Sequence, residues 1–117
     1  MTRDFTYIDD IVEGVIRVLD KPASPNANFD ANMPDPATSA APYRVFNIGN
    51  GLPVPLMDYI GVLEQALGIE AIKEFLPMQQ GDVIATHSNS GKLYSDFNFS
   101  PQTSIQNGVE NFINWFK

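Results

Sequence analysis

The chain has 117 residues and a mass of 12.9 kDa, which suffices for one hydrophobic core but not for two complete domains. With 44% apolar and 11% aromatic residues and only 18% charged residues, the sequence predicts a folded chain and excludes a solvated disordered tail. Fourteen acidic residues against seven basic ones give a formal charge of −7, which argues against nucleic acid and anionic lipid as partners.

Cysteine is absent and His87 is the single histidine. These counts exclude a disulfide framework and any metal site that needs thiolates or several imidazoles. Charged residues are spread through the first twenty positions, so we expect no signal peptide and no membrane span there. The sequence therefore predicts a cytoplasmic protein with no metal site and no membrane contact.

The first segments of the chain alternate between extended and helical patterns. Residues 3–7 predict a short extended piece that runs into Asp9 and Asp10, an acidic pair suited to capping a helix. Apolar residues at helical spacing then predict a helix over about 9–20. Residues 21–42 hold many prolines and alanines and no apolar period, so we expect a surface insertion, a mobile lid or a stretch of disorder.

The middle of the chain contains two predicted strands around a second helix. Residues 43–48 are β-branched and aromatic and stop at Gly49-Asn50-Gly51, which predicts a buried strand. An apolar stripe over 56–67, closed by Gly68, predicts a helix of about twelve residues. Residues 69–76 predict another strand.

Two more helices are expected near the end of the chain. Ser90 is placed to cap a short helix that runs through Phe97, and Thr103-x-x-Gln106 has the pattern of a capping box that opens the last helix. The expected apolar face of that helix consists of Ile105, Val109, Phe112, Ile113 and Phe116. Alternating strands and helices predict an α/β fold, yet two or three short strands are too few for a sheet covered on both faces. The chain therefore resembles part of something larger.

Several motifs fail when they are tested against the chemistry they would need. A strand, Gly49-Asn50-Gly51 and a helix suggest a dinucleotide-binding loop, but position 54 is valine and two prolines flank it, so a plain strand-to-helix turn is the better interpretation. His87 lies near two serines, but sequence adjacency does not provide the geometry of a nucleophile and its base. Asp9 and Asp10 diverge by about 100° on a helix, which favours a cap over a metal site.

Two segments resist a purely structural explanation. Arg3 opens a segment that places a cation and several aromatic or β-branched residues just before a strong helix. Residues 79–82, Gln-Gln-Gly-Asp, form a polar turn between the apolar runs Leu76-Pro77-Met78 and Val83-Ile84. Both segments are candidates for ligand contact.

At these residues the sequence resembles the nucleotide-sugar epimerases of the extended short-chain dehydrogenase/reductase superfamily, of the UDP-glucuronate 4-epimerase type. The resemblance extends over nearly the whole chain, in the blocks Arg3–Asp10, Tyr43–Asn50, Pro55–Ile60, Leu76–Val83 and Phe112–Phe116. It implies the small carboxyl-terminal substrate-binding subdomain of such an enzyme, covering 1–117 and lacking the Rossmann domain. The family's NAD loop and its Tyr-x-x-x-Lys pair have no counterpart here, so no catalytic residue and no cofactor are expected in this chain.

The resemblance also implies a binding site. Arg3 matches an arginine that reaches the UDP diphosphate, Asp82 matches an acid that accepts from ribose hydroxyls, and Gln79 matches a residue lining the same nucleotide site. Gln80 stands where relatives usually have proline, and Asn89 where they usually have aspartate. Arg44 is a further candidate for ligand contact, with a salt bridge as the better interpretation.

The expected function is therefore the UDP-sugar-binding part of an NAD-dependent 4-epimerase, inactive as an isolated chain. Its expected partners are a UDP-sugar, the missing NAD-binding domain and, through exposed apolar surface, a second copy of itself. The alternative is a non-catalytic protein interaction module. Measurable affinity for UDP distinguishes the two.

Overall fold

The computed structural model describes all 117 residues of the chain. It contains four helices and one antiparallel sheet of two short strands. In chain order the elements are β1 (Thr2–Arg3), α1 (Ile8–Leu19), β2 (Val54–Pro55), α2 (Leu56–Leu67), α3 (Gly91–Phe97) and α4 (Ile105–Phe116). Thr2 pairs with Pro55 and Arg3 with Val54. The architecture is small and mixes helices with strands.

Helix α1 confirms the first predicted helix to within a residue, but its expected cap is wrong. The N-cap residue is Tyr7, and no side chain caps the helix. Asp10 lies inside α1 and turns toward the start of α4, where its carboxylate accepts the backbone N–H groups of Gln102 at 3.3 Å and Thr103 at 2.9 Å. Asp10 therefore joins the two helices.

Helix α2 confirms the second predicted helix at both ends. Gly68 ends it in the left-handed conformation with φ 70°, which glycine adopts without the steric cost that a Cβ brings. Beyond it, Glu64 accepts the Ala71 N–H at 2.8 Å and pairs with Lys73. The Lys73 ammonium and this N–H hold the pKa of Glu64 below its ordinary value.

The short helix α3 and the last helix α4 lie where they are expected, but their caps differ from the expected ones. Ser90 precedes α3 without making a cap hydrogen bond, and Asn89 Oδ1 accepts the Gly91 N–H at 3.0 Å instead. Helix α4 is capped by Ser104, whose Oγ accepts the Asn107 N–H at 3.2 Å. The predicted capping box at Thr103 is therefore wrong, because the cap lies one residue later, at Ser104. The Thr103 N–H, which Gln106 would accept in a capping box, donates to Asp10 instead.

Both long strand predictions are wrong. Within 43–48, Arg44 forms one isolated bridge with Thr38, and 69–76 forms no ladder at all. A strand exists only when another segment satisfies its N–H and C=O groups, and no other part of this chain forms a ladder with these two. Phe75, in the second of these segments, leaves 76% of its surface exposed to solvent.

Residues 21–42 contain turns and the Thr38 bridge but no helix or longer strand. Side chains of Asn26, Asp30 and Asp35 accept backbone N–H groups two residues further on, the pattern of Asx turns on a surface loop. The mobility of this loop stays a prediction.

The hydrophobic core is very small. Only 6 of 117 residues are buried, and the large ones are Leu93, Val109 and Ile113. The Cα radius of gyration is 18.3 Å, with principal extents of 56 × 33 × 18 Å, whereas a compact domain of this length has a radius of gyration of about 13 Å. The chain is elongated and leaves most of its apolar residues in contact with solvent.

Candidate functional site

Arg3 lies in β1, at the point where three segments meet. On one side β1 pairs with Val54 and Pro55. On the other side the Thr2 N–H donates to Ile84 O at 3.0 Å, and the Thr86 N–H donates to Thr2 O at 3.2 Å. Thr2 therefore forms a parallel bridge with Ala85, which places Arg3 beside the segment that follows the 79–82 turn.

The guanidinium of Arg3 has most of its hydrogen-bonding capacity free. Arg17 pairs with Glu13 at 2.6 Å and Arg44 pairs with Asp96, so the salt bridge expected for Arg44 is confirmed. Arg3 is the one arginine with no carboxylate partner, and its only hydrogen bond runs from Nη1 to Thr2 O at 3.0 Å. A guanidinium offers five N–H donors in a fixed fork, so about four of them are available to an anion.

The polar turn at 79–82 has a defined backbone shape. The Asp82 N–H donates to Gln79 O at 3.2 Å, and Gly81 has φ 97°. Gln80 has no positive φ, so the turn is of type II, with glycine in the left-handed position and Gln80 in the position that proline favours. Gln79 and Asp82 are exposed, and their side chains have no hydrogen-bond partner in the chain.

The chain brings Arg3 and the turn onto neighbouring segments, although 76 positions separate Arg3 from Gln79. The turn ends two residues before Ile84, whose carbonyl oxygen accepts the Thr2 N–H. None of the five main cavities is lined by Arg3, Gln79 or Asp82. Their convergence on one concave face stays a prediction.

Asp4 also belongs to this region, although its residue type and position in the sequence do not mark it. Its carboxylate accepts the Ser88 N–H at 2.7 Å and the Gly51 N–H at 3.0 and 3.1 Å, and its own N–H donates to Thr86 Oγ1 at 3.0 Å. The partners of the carboxylate are backbone groups 47 and 84 positions away. No side-chain pattern in the sequence signals such contacts.

The turn at 49–51 does not fit the pyrophosphate of a dinucleotide. Its N–H groups are already bound: that of Gly49 by Ser90 Oγ at 3.0 Å, that of Asn50 by Thr6 Oγ1 at 3.1 Å and that of Gly51 by Asp4. A phosphate loop needs these donors free. The sequence-based preference for a plain turn agrees with this geometry.

The remaining candidates for chemistry, His87 and the acidic side chains, do not form a catalytic group or a metal site. His87 lines an open, polar cavity of about 320 Å³ with Asp4, Thr86 and Ser88, and its ring makes no hydrogen bond to either neighbouring serine. No three acidic or histidine side chains gather at one point to hold a metal ion. None of the helices combines the length and the hydropathy that crossing a membrane would need.

Comparisons with known proteins find relatives that align with nearly the whole of this chain. No family model matches the chain. It is 49% identical over 116 residues to protein CapI of Staphylococcus aureus, and 42% identical over 117 residues to a probable UDP-glucuronate 4-epimerase of Rhizobium meliloti. Both alignments cover 99% of this chain but 35% and 34% of the relative. The chain thus spans about a third of the length of the curated relatives it matches.

A solved structure matches the fold of this chain, again over about a third of the length of the matched protein. The structure of UDP-glucuronic acid 4-epimerase from Bacillus cereus, in complex with UDP-glucuronic acid and NAD, superimposes with a TM-score of 0.72 and 28% identity. The match covers 100% of this chain and 33% of that one. Sequence and fold therefore point to the same group of proteins.

Proposed function

We propose that the chain, which is similar over its whole length to part of the nucleotide-sugar epimerases of the extended short-chain dehydrogenase/reductase superfamily, is the UDP-sugar-binding part of such an enzyme. The 4-epimerase in this proposal is of the UDP-glucuronate type. The proposed contacts are Arg3 to the diphosphate, Asp82 to the ribose hydroxyls, and Gln79 to the same nucleotide.

The free guanidinium of Arg3 is the observation that carries the proposal. In a chain with a formal charge of −7, acidic partners are abundant, and Arg17 and Arg44 each have one. Arg3 is half-buried in β1 and has none. A guanidinium that has no carboxylate partner favours an anion that can accept two parallel hydrogen bonds. A diphosphate presents the matching pair of oxygens.

The 79–82 turn supplies groups that suit a ribose. Asp82 and Gln79 project from a turn whose backbone is fixed by its own hydrogen bond and by Gly81. A carboxylate accepts from two neighbouring hydroxyls, while an amide both donates and accepts. Because the turn leads directly into the segment paired with Thr2, one extended ligand spans the distance from Arg3 to the turn in this proposal.

The proposal assigns no chemical step to this chain. A Tyr-x-x-x-Lys pair is absent, since the residues four after the four tyrosines are Ile11, Asn47, Leu63 and Asn98. The N–H groups of the 49–51 turn are engaged within the chain, so NAD has no loop here. We infer that the isolated chain neither binds NAD nor epimerises a UDP-sugar.

An NAD-binding domain is the proposed protein partner. The chain exposes 8721 Å² of surface, whereas a compact protein of its mass exposes about 6,300 Å². The difference, about 2,400 Å², falls in the range that one side of an obligate interface buries. Apolar residues of α1 such as Val12, Val15 and Ile16 belong to this exposed surface.

The same surface favours a second candidate, a non-catalytic interaction module. Such a module needs apolar area but has no use for an unpaired Arg3 beside a polar turn. Affinity for UDP separates the two candidates, because only the first requires it.

Calorimetric titration of the full chain with UDP tests the proposal. We expect Arg3→Ala to weaken binding about 10- to 150-fold, the effect of about 1.5–3 kcal/mol for a charge-assisted hydrogen bond. Asp82→Ala should cost less, about 2- to 10-fold, because its partner is a neutral hydroxyl. Lys117→Ala removes an equal charge at the other terminus and serves as the control.

Two results would contradict the assignment. If Arg3→Ala binds UDP as tightly as the unchanged chain, Arg3 does not touch the diphosphate. If the unchanged chain shows no affinity for UDP at millimolar ligand, the interaction module becomes the better account. Titration with NAD is expected to give no heat of binding, and a dissociation constant below about 100 μM would show that the cofactor site has been misplaced.

A further inference from the structure

Asp4 joins three segments that are remote in sequence. Its carboxylate accepts N–H groups from the 49–51 turn and from Ser88, and its backbone N–H donates to Thr86. The bond to the Ser88 N–H, at 2.7 Å, is the shortest of these hydrogen bonds. Both carboxylate oxygens and the backbone N–H of Asp4 therefore take part in hydrogen bonds within the chain.

Side chains after β1 alternate between two faces. Thr6, like Asp4, contacts the 49–51 turn, where its Oγ1 accepts the Asn50 N–H at 3.1 Å. Phe5 lies on the other face and stacks on Tyr59 of α2, with ring centroids 4.2 Å apart. Extended backbone places every second side chain on the same face, so Arg3 shares the face of Phe5 and opposes Asp4.

Asp4 also fixes the segment that carries the polar turn. Its contacts to Thr86 and Ser88 hold residues 84–88 in parallel register with β1. The 79–82 turn enters this segment directly. The hydrogen bonds of Asp4 therefore act together with the backbone bridge between Thr2 and Ala85 to tie β1 to the segment that follows the turn.

We propose that Asp4 is a positioning residue, which holds Arg3 and the 79–82 turn in the relative placement that one UDP group requires. The inference rests on the proposed function and extends that function by naming a residue that assembles the site. Asp4 acts without touching the nucleotide, because its two oxygens are occupied by N–H donors and its charge repels a diphosphate.

A double-mutant cycle on UDP affinity tests whether Asp4 acts through Arg3. Asp4→Asn preserves the shape of the side chain but removes its charge and one acceptor oxygen, and we expect binding about tenfold weaker. In the Arg3→Ala background the same change should cost less than about twofold, because residues that share one interaction give non-additive effects. Asp9→Asn removes the same charge at an exposed position of α1 and should change nothing.

A second readout does not depend on the ligand. In Asp4→Asn we expect amide hydrogen exchange at Gly51 and Ser88 to accelerate at least tenfold, and the NMR signal of the Arg3 Nε–H to shift. Thr86→Val, which removes the acceptor of the Asp4 N–H, should shift that Arg3 signal too. This variant retains the charge of Asp4 and serves if Asp4→Asn fails to fold.

The outcomes distinguish the two proposals. Additive losses in the cycle would overturn positioning, since Asp4 would then act independently of Arg3. An Arg3 signal that is unchanged in Asp4→Asn and Thr86→Val would overturn it as well, with or without UDP. A chain that does not bind UDP, yet shows the shifted Arg3 signal, would refute the proposed function and leave the control of Asp4 over Arg3 intact.

Discussion

Gly49 lets two loops approach more closely than any side chain would permit. A Cβ at this position would lie 2.3 Å from the Cβ of Ser88 and 2.6 Å from its Oγ. Ser90 Oγ accepts the Gly49 N–H at 3.0 Å and donates to Gly49 O at 2.8 Å. The missing side chain therefore permits the hydrogen bonds that hold the turn against the 88–90 segment.

Gly49→Ala is expected to lower the free energy of unfolding by about 1–3 kcal/mol, the usual cost of overpacking. Gly61→Ala is the matched control: Gly61 lies inside α2, and a Cβ there would meet no atom within 4 Å, so alanine should raise stability by about 0.5–1 kcal/mol. Urea titrations followed by circular dichroism measure both. Equal effects of the two substitutions would show that the loops do not pack as described.

Residue types alone identify some of the candidate site. Arg3 and the Gln79–Asp82 turn stand out because a cation and polar side chains lie where apolar residues surround them. Asp4 does not stand out, because its partners are backbone N–H groups of Gly51 and Ser88. Backbone donors carry no sequence signal, so only the folded chain reveals this contact.

At the scale of elements, helices are predictable from this sequence and strands are not. The stripe over 56–67 and Gly68 define α2 without reference to any other segment, since helical hydrogen bonds are local. Residues 43–48 and 69–76 have strand composition, yet a ladder needs a partner strand. The sequence records the tendency of these segments to be extended but does not say whether this chain contains what they pair with.

The cap of α4 gives an element-scale prediction. Ser104→Ala should lower the free energy of unfolding by about 1 kcal/mol, because the Asn107 N–H loses its acceptor. Thr103→Ala should have a much smaller effect, since Asp10 binds the backbone N–H of residue 103 and not its side chain. Thermal melts of the two variants decide between Ser104 and Thr103 as the cap, and a larger loss in Thr103→Ala would restore the capping box that the sequence suggests.

At the scale of the whole molecule, the apolar stripes of two helices remain partly exposed to solvent. Helices α1 and α4 each have an apolar stripe, but in this chain neither stripe is fully covered: within the stripe of α4, Val109 is 4% exposed, while Phe116 is 73% exposed. Local pattern determines which residues form a stripe, and covering that stripe requires further surface. The chain that leaves these stripes exposed is also elongated, with a Cα radius of gyration of 18.3 Å.

Exposed apolar area on this scale predicts self-association of the isolated chain. Removing apolar surface from water is favourable by about 25 cal/mol per Å², so copies of the chain should associate at micromolar concentration despite the charge of −7 on each. Raising the salt concentration should strengthen this association, because salt screens the repulsion between like-charged copies while leaving apolar contacts in place.

Sedimentation velocity over a concentration series, with small-angle X-ray scattering extrapolated to zero concentration, measures both properties. We expect a monomer with a radius of gyration near 18 Å that gives way to larger species as concentration rises. Trp115→Gln with Phe116→Gln should reduce association without lowering stability, because both side chains are largely exposed in the monomer. A compact monomer with a radius near about 13 Å and a sharp two-state melt at about 60 °C would refute this, since it would mean that the chain covers its own apolar surface.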